Sequence, residues 1–408
     1  MKKFDVPPIY KSNLISKIKV TRQEQDPKRK DFSPTFLDFE KVVFIIPRHF
    51  GFCYGVQNAI EITYKVLETH PDKNIYLLSE IIHNPEVNTN LKNLGVNFLE
   101  KLSNNKVNPI TSLQDNDILI IPAFGTTVEI YNKLKTSGRN IITYDTTCPF
   151  VEKVWNRSSV LGKNGFTVII HGKHYHEETQ ATFSHSQQYA PTIIIRDLDE
   201  AKKLGEIILE KISYQNFFEI FSNRFSKNFD PYHHLQKIGI VNQTTMLASE
   251  TQEIANYLKN IMVQKYGAED IKEHFFDTRD TLCYATHENQ ESTIIALKSK
   301  PDIAVVIGGY NSSNTSQIVK LCQQEIVTYF ISSPENIATE SREVRHYDIG
   351  SGKEITTKDF LPLKTPVRIL VTSGASCPDI LVEETMKKIM SFYFDAAEIN
   401  RKLNSISV

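Results

Sequence analysis

The sequence predicts an α/β protein of three similar units with mainly parallel sheets, set pseudo-threefold about a shared centre. Three observations carry this reading. From residue 41 onward, apolar β-rich runs alternate with helical stretches, the order that gives parallel sheets covered by helices. One succession of elements recurs three times, with little identity between copies. Each copy also places a cysteine in the loop after its opening strand: Cys53, Cys148 and Cys283.

Residues 1–40 read as an N-terminal extension, charged and proline-flanked around DPKRKDFSP, with no clear periodicity. The first unit is expected over 41–146. It opens with KVVFIIP (41–47), passes through RHFGFCYG with Cys53, and continues as an amphipathic helix in GVQNAIEITYKVLET. The strand NIYLLS runs into EIIHNPEV, and DILIIP ends in AFGTT. The second unit is expected over 147–275. NIITYD leads to TTCPF with Cys148, VEKVWNRSSVLGK is helical, TVIIHG runs into KHYHEET, and KIGIV ends in NQTTM. A Phe- and Asn-rich stretch at 213–234 is longer than its counterparts and reads as a helical insertion, either a cover for the second unit or a partner surface. The third unit is expected over 276–408. HFFD leads to TLCYAT with Cys283, NQESTIIALKS is helical, DIAVVIGG runs into YNSSNTS, and VRILV ends in TSGAS. Each copy thus offers polar loops directly after buried strands, where open α/β sheets bind ligands.

Composition narrows the classes. The 408 residues have room for two to four domains of ordinary size. Lys+Arg 47 against Asp+Glu 48 gives a formal net charge of −1, which points to neither nucleic acid nor a membrane surface. No apolar run approaches the ~18–20 residues of a membrane span. The N-terminus lacks the apolar core of a secretory signal. Its first forty residues hold nine basic and six acidic residues, too acidic for a transit peptide. A cytoplasmic protein is expected. An odd count of five cysteines in such a chain argues against a disulfide framework.

The three loop cysteines are 95 and 135 residues apart, with no CxxC among them. A zinc ribbon or a local ferredoxin framework is therefore absent. Thiolates from three units can hold three irons of a cubane, and the fourth iron then has no protein thiolate. Electron-transfer clusters usually have four cysteine ligands; an open iron suits substrate binding with Lewis-acid or redox chemistry. Any one of these cysteines alone reads equally as a small buried hydrophobe. Cys322, in the helical SQIVKLCQQE, reads as core. Cys377 follows TSGAS and reads as a bystander or a fourth ligand.

The remaining loops supply His83 and Asn84; His174, His176, Glu177 and Glu178; Thr244 and Thr245; Asn311 to Asn314; and Ser373 and Ser376. No Walker-type glycine loop is present. Hydroxyl, amide and imidazole donors nonetheless bind phosphate oxygens, aided by helix N-termini. NSSNTS reads either so or as a plain helix cap. His176 with Glu178 is the best candidate for proton delivery, because a positioned carboxylic acid can protonate a leaving hydroxyl.

HFGFCYGVQNAI, EIIHNPEVN, DTTCPFVEKVW, IHGKHYHEETQAT, NQTTM, CYAT, GGYNSSNTS and TSGASCPDILVEE together resemble the LytB (IspH) type of 4-hydroxy-3-methylbut-2-enyl diphosphate reductase, collinearly from about 41 to 390. IPAFGTTVE, HEET and the extension resemble its plant and cyanobacterial branch. The resemblance implies three α/β units around a central [4Fe–4S] cluster held by Cys53, Cys148 and Cys283, with one open iron. It implies reductive removal of an allylic hydroxyl, the last step of the methylerythritol phosphate route to isoprenoids. Glu178 then supplies protons, with Thr244 in the relay. His83, His176, Ser312, Ser313, Asn314 and Ser376 hold the diphosphate and orient the substrate. A ferredoxin or flavodoxin is the expected electron donor. One departure is Phe124, in Ala123-Phe124-Gly125, where the common bacterial pattern has histidine; another is Cys377 in place of a small residue. Two other classes fit the residues alone. One is an iron–sulfur dehydratase, which needs no external reductant. The other is a non-catalytic cluster sensor, which turns nothing over.

Overall fold

The computed structural model describes residues 4–99, 109–276 and 281–405. The chain divides into two compact units, one of Met1–Val66, Ile82–Leu94 and Tyr284–Val408, the other of Leu67–Ile81 and Gly95–Cys283.

The unit containing Cys53 is built on a five-stranded sheet in the order Thr35–Asp38, Val42–Ile46, Val367–Ser373, Ile303–Ile307, Thr328–Ile331. Its pairings are parallel except at the edge, where Thr35–Asp38 runs antiparallel to Val42–Ile46. Val42–Ile46 and Ile303–Ile307 are buried at every position, as parallel strands covered on both faces must be. A small antiparallel sheet of Ile337–Ala338, Glu343–Asp348 and Lys353–Lys358 completes this unit.

The other unit holds two four-stranded parallel sheets. One runs Asn97–Phe98, Ile75–Leu77, Ile118–Ile121, Ile142–Asp145; the second runs Phe275–Phe276, Ile238–Asn242, Thr167–His171, Thr192–Ile195. The end of HFFD lies outside the described residues. Mainly parallel α/β architecture is therefore what the chain adopts.

The repeat has a topological signature that local pattern does not reveal. In each parallel sheet the third strand of a copy pairs with the opening strand of the next. Ile118–Ile121 pairs with Ile142–Asp145, and Ile238–Asn242 with Phe275–Phe276. Val367–Ser373 pairs with Val42–Ile46 at the start of the chain. The strand expected to open a unit over 41–146 thus lies in the sheet of the 276–408 segment. Periodicity identifies a strand but not its partner, so this exchange is not legible in the sequence.

The extension is more ordered than its composition suggests. Ser12 caps the helix Asn13–Gln25, its side chain accepting from the Ile15 N–H at 2.9 Å. Leu14, Ile15 and Ile18 enter the core of the Cys53 unit, and Lys19 pairs with Asp379 at 2.7 Å. The apolar stripe is short and set among charges, which hides it from a periodicity test. Because Ile15 is fully buried, Ile15→Ala is expected to cost roughly 2–5 kcal/mol. Thermal unfolding checks this; an unchanged midpoint would detach the extension from the core.

The 213–234 insertion is helical at Tyr214–Ile220 and Pro231–His234. Phe217, Phe221, Phe229 and Leu235 pack with Ile193, Ile238 and Ile240 of the second sheet of its unit. Covering that sheet is its structural work.

Candidate functional site

Each loop cysteine stands at the start of a helix: Cys53 before Tyr54–Thr69, Cys148 as N-cap of Pro149–Lys163, and Cys283 before Tyr284–Leu297. Each is tied by its backbone to the loop after a third strand. Cys53 N–H donates to Ala375 O at 3.1 Å, Cys148 N–H to Ala123 O at 3.0 Å, and Cys283 N–H to Thr244 O at 3.1 Å. Three copies of one contact, in three sheets of low mutual identity, are the clearest mark of a shared design. None of the five cysteines is in a disulfide. Burial pushes the Cys53 thiol up, while the N–H groups of Val56 and Gly55 at the helix start favour its thiolate. Cys322 is fully buried and pushed up to about 12 by burial alone, in keeping with core. Cys377 is also fully buried, its thiol raised by burial.

In the unit of Leu67–Ile81 and Gly95–Cys283, the HYHEET loop delivers His176 and Glu178 to the start of Glu177–Ser186. His176 is the N-cap, and its Nδ1 accepts from the Glu178 N–H at 3.2 Å. Glu178 is 2% exposed, and its Oε1 accepts from the Thr244 N–H at 2.5 Å. Since Thr244 O in turn holds Cys283 N–H, carboxylate, threonine and cysteine form one connected set. Phe124 meets the His176 ring edge-on at 5.8 Å between centroids. His174 is exposed.

Gln243 is a site residue that sequence reasoning missed. Its Oε1 accepts from Lys173 N–H at 3.0 Å and from Thr179 Oγ at 3.1 Å, and its amide donates to Thr245 Oγ at 2.9 Å. It braces the Glu178 helix against the Thr244 turn. A Cβ on Gly172 would stand 2.8 Å from Thr179 Oγ, so glycine there lets the loop close onto the brace.

In the unit of Cys53, neutral donors converge. Ser312 caps Ser313–Gln323, accepting from Thr315 N–H at 3.3 Å and Thr315 Oγ at 2.9 Å. Ser312 is thus the cap of this helix. Ser376 Oγ donates to the His83 carbonyl at 3.1 Å and lies 3.4 Å from Ser312 Oγ. Asn314 accepts from Ala375 N–H at 2.8 Å through Oδ1 and reaches Thr286 Oγ at 3.4 Å through its amide nitrogen. His83, Ser312, Ser313, Asn314 and Ser376 are all buried. A Cβ on Gly309 would stand 2.5 Å from the His83 carbonyl oxygen, which makes this approach a glycine position. Ser313 Oγ and both amide atoms of Gln317 are buried without a hydrogen-bond partner, an arrangement that costs stability unless something polar satisfies it. Asn311 is exposed.

Among the described residues, no three His, Cys, Asp or Glu side chains gather as ligands of a single metal ion. A cubane asks for something different, one thiolate at each of three irons.

These features define a class: an α/β protein of repeated parallel sheets whose strand-end loops present thiols, a buried carboxylate and neutral donors. A family model described as LytB protein matches residues 44–390. The 4-hydroxy-3-methylbut-2-enyl diphosphate reductase of Prochlorococcus marinus strain AS9601 is 40% identical over 342 residues, 84% of this chain and 83% of that protein. The protein of the same name from Synechococcus sp. strain CC9311 is 39% identical over 343 residues, again 84% of this chain and 83% of its own length. The chain belongs to the LytB family. Its fold is like that of the E-1-hydroxy-2-methyl-but-2-enyl-4-diphosphate reductase from Plasmodium falciparum, with a TM-score of 0.62 at 22% identity, covering 86% of this chain and 88% of that one. No helix among the described residues is long and apolar enough to cross a membrane.

Proposed function

We propose that this chain is a cytoplasmic 4-hydroxy-3-methylbut-2-enyl diphosphate reductase, the terminal enzyme of the non-mevalonate route to isoprenoids. The observation that supports this most is the thrice-repeated seating of Cys53, Cys148 and Cys283 at helix starts. These residues would hold one [4Fe–4S] cluster, one thiolate per iron, with the fourth iron open. The units over 41–146, 147–275 and 276–408 would then surround it pseudo-threefold. When bound, such a cluster supplies electrons and a Lewis-acid contact for the substrate hydroxyl.

The chain's own residues do the rest. His83, His176, Ser312, Ser313, Asn314 and Ser376 hold the diphosphate and orient the allylic carbons. The N-terminus of Ser313–Gln323 favours the anion, and the orphaned Ser313 hydroxyl gains an acceptor when phosphate binds. Glu178 keeps a proton at a carboxyl oxygen for the departing hydroxyl, with Thr244 beside it in the relay. The allylic C–O bond breaks, two electrons and two protons are consumed, and the hydroxyl leaves as water. Isopentenyl and dimethylallyl diphosphate are the products. The electrons come from an external donor such as ferredoxin or flavodoxin; neither nucleic acid nor membrane is required.

Protein purified without oxygen is expected to carry iron and acid-labile sulfide, each near about four per chain. It should consume (E)-4-hydroxy-3-methylbut-2-enyl diphosphate only when a reductant is supplied. Turnover without reductant would indicate a dehydratase, and zinc near about one per chain without sulfide would remove the redox chemistry altogether.

A further inference from the structure

The unit of Cys53 contains a cavity of about 530 Å³ that Cys53 borders and that none of the neutral donors assigned to the diphosphate lines. That volume is within the ordinary range of small-molecule sites. The N-terminal helix and the loop after it contribute Lys19 and Arg29 to its lining, and the stretch from Arg48 to Tyr54 contributes Arg48 and Cys53.

The charge here is unbalanced. Lys19, Arg29 and Arg48 line the cavity, against Glu288 as the one carboxylate among its lining residues. Lys19 already pairs with Asp379, and Arg29 stands 4.0 Å from Glu288. Arg48 is 8% exposed, and its Nη2 donates to a backbone oxygen, Arg22 O, at 3.1 Å. Its Nε has no partner, nor has Nε2 of the adjacent His49. No carboxylate of the described residues lies within ion-pair distance of Arg48. Arg22 and Arg29 disfavour its charge, while Asp26 and Asp31 favour it from beyond ion-pair distance; a buried guanidinium with an unpaired nitrogen is costly unless an anion joins it. The same field shows at its neighbour: burial first, then the Arg48 charge, pulls His49 down to about 4. Beside the cations the cavity is aromatic, lined by Phe52, Tyr54 and Tyr284, all half-buried. Rings of this kind accept an apolar or planar body.

We infer that this cavity is a second anion site, separate from the neutral donor cage, and that it takes a phosphate- or diphosphate-bearing small molecule with an apolar or aromatic body. Arg48 and Arg29 hold the phosphate oxygens, for which the guanidinium fork is suited. The rings of Phe52, Tyr54 and Tyr284 cover the body. Two sources share this chemistry: a short isoprenoid diphosphate and a nucleoside diphosphate.

Calorimetric titration of the cluster-loaded full chain, without oxygen, separates the possibilities. Inorganic diphosphate, dimethylallyl diphosphate and adenosine diphosphate serve as probes, in the wild type and in an Asn314→Ala background that weakens the donor cage. Binding should survive Asn314→Ala and weaken at least tenfold when Arg48→Leu is added. Should Arg48→Leu fail to fold, Arg29→Met, at a one-third-exposed side chain, is the second variant with the same expected loss. At least one organic diphosphate should bind about tenfold tighter than inorganic diphosphate, and which one does so names the source. Binding abolished by Asn314→Ala alone, or indifferent to both arginine variants, overturns the second site. Equal affinity for all three probes overturns the role given to the rings.

Discussion

Glu178→Gln is expected to keep iron, sulfide and substrate affinity while turnover falls by about 10²–10⁴-fold, the usual contribution of a positioned acid. The choice of glutamine follows from the geometry. Glu178 Oε1 accepts from the Thr244 N–H at 2.5 Å in a setting only 2% exposed. A glutamine carbonyl accepts that bond equally, so the Thr244 turn and the Cys283 N–H that hangs from it stay in place. Alanine would instead strand a buried N–H and confuse structural loss with chemical loss. What glutamine removes is a proton that can leave. Single-turnover kinetics with pre-reduced enzyme make the test clean, since they exclude slow electron delivery as the cause. Near-normal turnover would take Glu178 out of the proton path and turn attention to His176, which caps the same helix.

The parts of the site that can be read from sequence are those marked by residue type in equivalent places. Cysteines are few, and three of them recur after an opening strand, so their common role is visible without coordinates. Glu178 is visible because an acid beside histidines after a buried strand has few bland explanations. Gln243 is a different case. Its role lies in contacts 64 and 70 residues away in sequence, and a glutamine in NQTTM carries no local sign of them. Arg48 likewise reads as an ordinary loop arginine until burial shows its Nε without a hydrogen-bond partner. The exchange of opening strands is hidden for a related reason. Val42–Ile46 is apolar throughout, and such a strand fits any parallel sheet equally well. The helix Asn13–Gln25 escapes notice because three buried side chains leave only a faint period among lysines and arginines.

Cys148→Ser is expected to leave the fold intact and to empty the cluster site, with iron and sulfide falling from about four per chain toward background. Serine is a good helix N-cap, and Cys148 is the N-cap of Pro149–Lys163 with no side-chain cap bond of its own. The substitution therefore holds or improves the local structure, and its backbone N–H still donates to Ala123 O. An unchanged thermal midpoint of the metal-free protein, together with lost iron, assigns the effect to the sulfur. Cys322→Ser is the matching control, because that thiol is buried within the helix Ser313–Gln323 and should cost stability without costing iron beyond it. Cys377 is the informative comparison. Its Sγ donates to its own neighbour's carbonyl, Pro378 O at 3.6 Å, a contact a thiolate does not make. Cys377→Ser should accordingly leave iron and sulfide near about four per chain. Loss of the cluster in Cys377→Ser as complete as in Cys148→Ser would make Cys377 a fourth ligand. The iron reserved for substrate would then be closed, and the chemistry would move from dehydroxylation to electron transfer.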